Sequence, residues 1–152
     1  MGRRLGIPVV HLDTLYWGPS WKKPDLLEFR QRVRSALESE SWICEGNYTK
    51  QTFDLKLPRA DLIIWLDTPR TVCCFRVVKR AVFDRRRSDL PASCIERIDL
   101  QFLSFVWSVW TFDSQVRPGM EADSLLQRHA AKIVRLETKR DIARFLASLG
   151  TT

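Results

Sequence analysis

The sequence predicts an α/β domain with a parallel sheet covered by helices on both faces, a three-layer architecture. Two observations carry this expectation. Four short runs rich in Ile, Val, Leu or Trp, at residues 7–12, 42–44, 62–66 and 133–136, are continuously apolar rather than alternating, as strands buried on both faces require. Between them lie stretches whose apolar residues recur at helical spacing, giving a β-α-β-α order.

Each helix carries its own start signal. Asp25 and Glu28 form a capping-box pair before Phe29, Val33 and Leu37. Thr68 and Pro69 suit an N-cap and first helical position, opening a helix to about Phe83. Ser93 and Glu96 make a second capping box, ahead of Ile98, Phe102, Val106 and Trp110. Thr138 and Asp141 make a third, before Ile142, Phe145 and Leu149, and Gly150 ends that helix. The aromatic residues Phe102, Phe105, Trp107, Trp110 and Phe112 read mostly as core by this spacing. Residues 85–91 are polar and interrupt the pattern, which predicts a mobile loop.

Length and composition bound the function. A chain of 152 residues fits one domain, 1–152, with one sizeable core. Its apolar content of 45%, with six Trp and eight Phe, excludes a disordered chain. No apolar run approaches the roughly 18 residues of a membrane span, and the first ten residues are too short for a secretory signal, so a cytoplasmic protein is expected. Cys44, Cys73, Cys74 and Cys94 form no C-x-x-C pair and sit among apolar residues, which fits a reducing compartment. With 25 Lys+Arg against 18 Asp+Glu, the formal charge of +7 implies an anionic partner.

Polar residues close three of the strands. Asp13, Glu45 and Asp67 would gather at the carboxyl ends of parallel strands, where ligands bind in open sheets. There they could hold a hydrated magnesium ion or take a proton from a hydroxyl, although Asp67 serves equally as a helix cap. Gly46, beside Asn47, allows a backbone to come close to a ligand or simply turns the chain. Trp17 and Trp21, in a short Gly-Pro-Ser loop, could stack on a planar or sugar ligand. His11 reads as a strand residue satisfied by hydrogen bonds rather than as a metal ligand. Arg76, Lys79 and Arg80 share one helix face, either a solvated basic face or, with Arg85, Arg86 and Arg87 in the adjoining loop, a grip for phosphates.

Taken in order, these stretches resemble a family of small P-loop kinases, the adenylate kinase-like or DNA topology modulation proteins. The matching stretches are Leu-Gly-Ile-Pro-Val-Val-His-Leu-Asp with Leu-Tyr-Trp (5–17) and Trp-Ile-Cys-Glu-Gly-Asn-Tyr (42–48). Leu-Pro-Arg-Ala-Asp with Trp-Leu-Asp-Thr-Pro-Arg (57–70), Arg-Val-Val-Lys-Arg (76–80), Cys-Ile-Glu-Arg-Ile-Asp (94–99) and the terminal Val-Arg-Leu to Phe-Leu-Ala-Ser-Leu segment follow. The resemblance implies the nucleoside monophosphate kinase-like form of the P-loop NTPase fold, with ATP and Mg2+ as cofactors. It implies that Asp13 faces the phosphate acceptor, near Trp17, Trp21, Asn47 and Tyr48, and that Glu45-Gly46 stands where the family has Asp-Gly, Glu45 holding magnesium through water. Arg76 and Arg80 resemble the pair preceding the adenylate kinase lid, Arg80 being catalytic with Asp13 and Glu45. Arg85, Arg86, Arg87 and Arg97 would be phosphate contacts in or after a lid at 84–92.

One departure from the family is large. The pattern G-x-x-x-x-G-K-[ST], whose backbone N–H groups and Lys hold the nucleotide phosphates, does not occur. In the family that loop and its strand precede the position of Met1, a piece of roughly 20 residues. The strand lies at the centre of the sheet, between those ending at Glu45 and Asp67. The expectation is therefore either a longer gene product whose start lies upstream or a degenerate relative of low stability, in both cases inactive as this chain. Two alternatives stand beside it: a basic, non-catalytic nucleic-acid-binding protein, for which no helix-turn-helix or RNP signature speaks, and a pseudokinase that keeps only the acceptor site.

Overall fold

A computed structural model describes residues 1–83 and 98–149. A one-turn helix, α1 (Gly2–Leu5), leads into β1 (Val9–His11), which passes directly into α2 (Leu12–Tyr16). A single 3-10 turn at Pro19–Trp21 precedes α3 (Leu26–Ala36), then β2 (Ile43–Glu45), α4 (Thr49–Lys56), β3 (Ile63–Leu66) and α5 (Arg70–Phe83). After the undescribed segment come α6 (Leu100–Gln115), α7 (Arg117–Glu121), α8 (Ser124–Arg128), β4 (Ile133–Leu136) and α9 (Lys139–Ser148). The lid at 84–92, the Ser93–Glu96 pair and Arg85, Arg86, Arg87 and Arg97 lie outside the described residues.

The strands form two separate parallel pairs. β1 pairs with β2, with Val9 opposite Ile43, Val10 opposite Cys44 and His11 opposite Glu45. β3 pairs with β4, from Ile63 opposite Ile133 to Leu66 opposite Leu136. Among the described residues no strand bonds to the second edge of β2 or of β3, and these residues form two small sheets.

Each sheet carries its own apolar cluster. Against β1 and β2, Leu12, Phe29, Val33 and Leu37 are at most 1% exposed. Phe29 and Val33 come from α3, started by the Asp25 carboxylate, which accepts from Leu27 N–H at 3.0 Å. Glu28 does not close the expected capping box; it pairs with Arg32 one turn on, at 2.5 Å. Against β3 and β4, Phe53 and Leu57 of α4 meet Leu126 of α8. A third cluster, Val77, Ala81 and Phe102, joins α5 to α6.

Helix α6 corrects the expected aromatic core. Its cap is Asp99, whose carboxylate accepts from Phe102 N–H at 2.9 Å. Among the described residues the stripe Phe102, Val106 and Val109 packs against α5, and Phe105, Trp107 and Trp110 are exposed, Trp107 to 65%. Helical spacing puts aromatic residues on several faces of α6, and one neighbouring helix covers one face. Trp110 gains a partner in the Arg70 guanidinium, 4.5 Å above its ring.

Candidate functional site at the strand ends

The parallel pairing of β1 and β2 brings their two strand-to-helix connections side by side. His11 and Glu45 are register partners, and residues directly opposite in a parallel pair point to the same face. His11 Nδ1 lies 2.6 Å from Glu45 Oε1. Both side chains are partly exposed, 35% and 52%, so the pair orients the carboxylate more than it stabilises the fold.

Two residues beyond His11 and three beyond Glu45 a second contact forms. The Tyr48 hydroxyl donates to Asp13 Oδ1 at 2.6 Å. Its ring packs against Tyr16, centroids 4.6 Å apart, and against Phe29 at 5.1 Å, so the hydroxyl is the polar tip of an apolar cluster. Burial, reinforced by the Asp13 carboxylate, pushes the Tyr48 phenol well above its ordinary pKa. It is therefore a hydrogen-bond donor at every physiological pH.

The backbone between Glu45 and Tyr48 is fixed from three sides. Gly46 adopts φ 126°, and a Cβ there would stand 2.8 Å from Leu12 Cβ. Here the glycine lets the backbone approach a core leucine. Lys56 Nζ donates to the Gly46 carbonyl at 3.0 Å, and burial lowers the pKa of that amine. Thr52, fully buried, donates to the Tyr48 carbonyl at 2.6 Å. Thr49 N–H donates to the Asn47 carbonyl at 2.7 Å.

Trp17 and Trp21 meet edge to face at 5.3 Å, and Tyr16 sits edge-on to Trp17 at 4.9 Å. Trp21 holds φ 62°, unusual for a non-glycine residue. Trp17 thus packs on both Trp21 and Tyr16 at the edge of the rim.

Asp67 belongs to the other sheet. Arg117 grips it with both guanidinium nitrogens, Nη1 donating to Oδ2 at 3.3 Å, and Arg135 Nη1 stands 3.6 Å away. Asp67 is therefore part of an ion-pair cluster. Arg76 and Arg80 are carried on α5, exposed and half-buried respectively, in the half of the molecule built on β3. The structure joins Asp13, Glu45, Asn47 and Tyr48 on one rim, with Trp17 and Trp21 beside it, and places Arg76 and Arg80 on a different element. Lys56 and Arg117 were missed from sequence. A basic residue at the carboxyl end of the helix after Gly46 is the signal that could have found Lys56.

A cavity of about 750 Å3 opens at this rim beside Glu45, Gly46 and Asn47 and runs between β2 and β3. A smaller one, about 330 Å3, lies by Thr68, Cys73, Asp113 and Arg117. Comparison with known proteins leaves the site to speak for itself. No family model, curated protein or solved structure matches the chain. Among the described residues no group of three or more His, Cys, Asp or Glu converges as a metal site, and no helix is long and apolar enough to cross a membrane.

Proposed function

We propose that this protein is a cytoplasmic relative of the P-loop kinases that binds a phosphate acceptor, a nucleotide or small hydroxyl compound, at the Asp13–Tyr48 rim. The observation that carries the reading is the pair of contacts His11–Glu45 and Tyr48–Asp13, which hold two carboxylates at the carboxyl ends of adjacent parallel strands. Ligands of open parallel sheets bind at that position. The Asp13 carboxylate, oriented by Tyr48, accepts a hydrogen bond from the acceptor hydroxyl. The indoles of Trp17 and Trp21 border the acceptor.

The residues present fit a hydrated magnesium ion. Glu45 already shares one oxygen with His11, so it would hold the ion through water, and the ion would neutralise phosphate charge there. The residues do not fit the triphosphate of ATP. Without a G-x-x-x-x-G-K-[ST] loop no cradle of backbone N–H groups surrounds the phosphates, and this polypeptide performs no ATP turnover.

Thermal denaturation with a nucleoside monophosphate, ADP and ATP tests the reading. A saturable rise in Tm with the monophosphate, abolished in Asp13→Asn, is expected, with no nucleotide hydrolysis. Indifference to all three nucleotides, together with nucleic-acid binding that weakens steeply with salt, would replace it by the basic nucleic-acid-binding alternative.

A further inference from the structure

We propose that the outer face of the α5–α6 hairpin is a self-association surface, on which a second copy of this chain docks so that two hairpins form a four-helix bundle. The inference rests on these two helices and is independent of the phosphotransfer reading.

The pairing of the helices comes first. Arg70 lies over Trp110, Cys74 Sγ stands 4.0 Å from the Val106 carbonyl oxygen, and Val77 and Ala81 meet Phe102. Rising numbers on α5 meet falling numbers on α6, so the two helices are antiparallel. A second stripe lies about a third of a turn round from each packing line, in the same rotational sense on both helices. On α5 it is Phe75, Val78 and Val82; on α6 it is Leu100, Leu103, Trp107 and Trp110, and every one of these side chains is exposed. In an antiparallel pair the same sense leads to the same side, so the two stripes form one continuous face. The opposite side of the hairpin is turned toward the sheet, because Cys73, Phe105 and Phe112 line the smaller cavity together with Trp65 and Leu66 of β3. The apolar face is the one turned away from the sheet.

Three properties of that face specify its occupant. On α6 the positions 100, 103, 107 and 110 alternate steps of three and four residues, the repeat of a seam that packs against another helix. No charged residue occurs from Leu100 to Phe112, and helical spacing puts Arg76 and Arg80 of α5 on the sheet-facing side. Arg70 and Lys79 stand at the borders, so two copies of this basic chain approach over an uncharged centre. The area is also sufficient. With Leu100, Phe75 and Trp107 exposed to 83%, 67% and 65%, the seven side chains leave on the order of 900 Å2 open, given about 150–250 Å2 for each aromatic. A stable dimer needs about 800 Å2 from each partner, and the largest patch of a lone monomer is about 300–600 Å2. A two-fold axis at the middle of the seam sets Leu103 against Trp110 of the partner subunit and brings the two Trp107 rings together, as an isologous contact requires.

Sedimentation of the full chain over a concentration series tests this. A reversible dimer is expected. Trp107→Glu weakens it at least about tenfold and leaves the far-UV circular dichroism unchanged, because the side chain is exposed within one chain. Trp107→Lys behaves alike, and mixing the two variants restores the dimer as a mixed pair, since the two positions meet at the axis. Gln101→Glu, exposed on α6 outside the seam, leaves the dimer as it was. A chain that stays monomeric at about 100 μM overturns the proposal, as does a dimer untouched by both Trp107 variants. A monomer that binds anionic vesicles, and loses that binding in Trp107→Glu, would overturn it in favour of a membrane surface.

Discussion

The Tyr48 hydroxyl and the Asp13 carboxylate, 35 residues apart in the chain, meet at 2.6 Å because each follows the end of a strand in the same parallel pair. Tyr48→Phe keeps the ring contacts with Tyr16 and Phe29 but removes one charge-assisted hydrogen bond from a half-buried carboxylate. Hydrogen bonds to charged groups are worth about 1.5–3 kcal/mol, so a loss near the lower figure is expected in urea denaturation. Asp13→Asn should cost a comparable amount. The double variant should cost less than the sum, because both changes remove the same contact. Additive losses would show that the two residues act separately.

Much of the local structure was legible, because its causes are local. Thr138 Oγ1 accepts from Asp141 N–H at 3.1 Å, and Asp141 Oδ2 accepts from Thr138 N–H at 2.9 Å, the reciprocal box that the two residue types foretell. The apolar run at 133–136 is a strand over those same residues, and that at 62–66 is a strand from Ile63. The run at 7–12 shortens to Val9–His11 because Leu12 turns into α2 as a fully buried residue of its cluster. What sequence did not show is set by distance along the chain. Arg117 finds Asp67 across 50 residues, and nothing near either residue marks the partner. The division into two strand pairs was equally hidden, since an apolar run does not record how many neighbours its strand has. On the rim, strand ends pointed to Asp13 and Glu45, whereas the contribution of Lys56 depends on where α4 folds back.

Asp67 and Arg117 form the least exposed ion pair of the second sheet, with side chains 14% and 24% exposed. Among the described residues, Arg117→Ala would leave Asp67 with the more distant Arg135, 3.6 Å away. Removing one member of a buried pair costs about 3–5 kcal/mol, and Arg135 offsets part of it, so a loss of about 2 kcal/mol is expected. Asp67→Asn in the Arg117→Ala background should restore part of the loss. Failure to restore any stability would show that Arg117 acts through packing and not charge.

Two glycines should respond in opposite senses to alanine. At Gly46, φ 126° and the 2.8 Å approach to Leu12 Cβ make Gly46→Ala destabilising by about 1–3 kcal/mol. At Gly119, inside α7, an added Cβ meets nothing within 4 Å, so Gly119→Ala should be neutral or stabilising by about 0.5–1 kcal/mol. Differential scanning of the pair checks this. Equal responses would mean that the turn after β2 is not tightly seated on Leu12.

Acid should weaken the fold through two carboxylates held below their ordinary range. Asp141 is lowered to about 2, first by the Thr138 hydroxyl and then by Arg144. Asp54 is lowered by the two-pronged Arg30 contact at 2.9 and 2.6 Å. A carboxyl group with a depressed folded pKa contributes its stability above its unfolded value, near 3.9, and loses it as pH falls through the folded value. The urea midpoint should therefore hold steady down to about pH 4 on account of these groups and decline from there toward pH 2. Asp141→Asn and Asp54→Asn should each lower the midpoint at pH 7 while flattening that acid decline. An acid decline of unchanged steepness in both variants would place the titrating groups elsewhere in the chain.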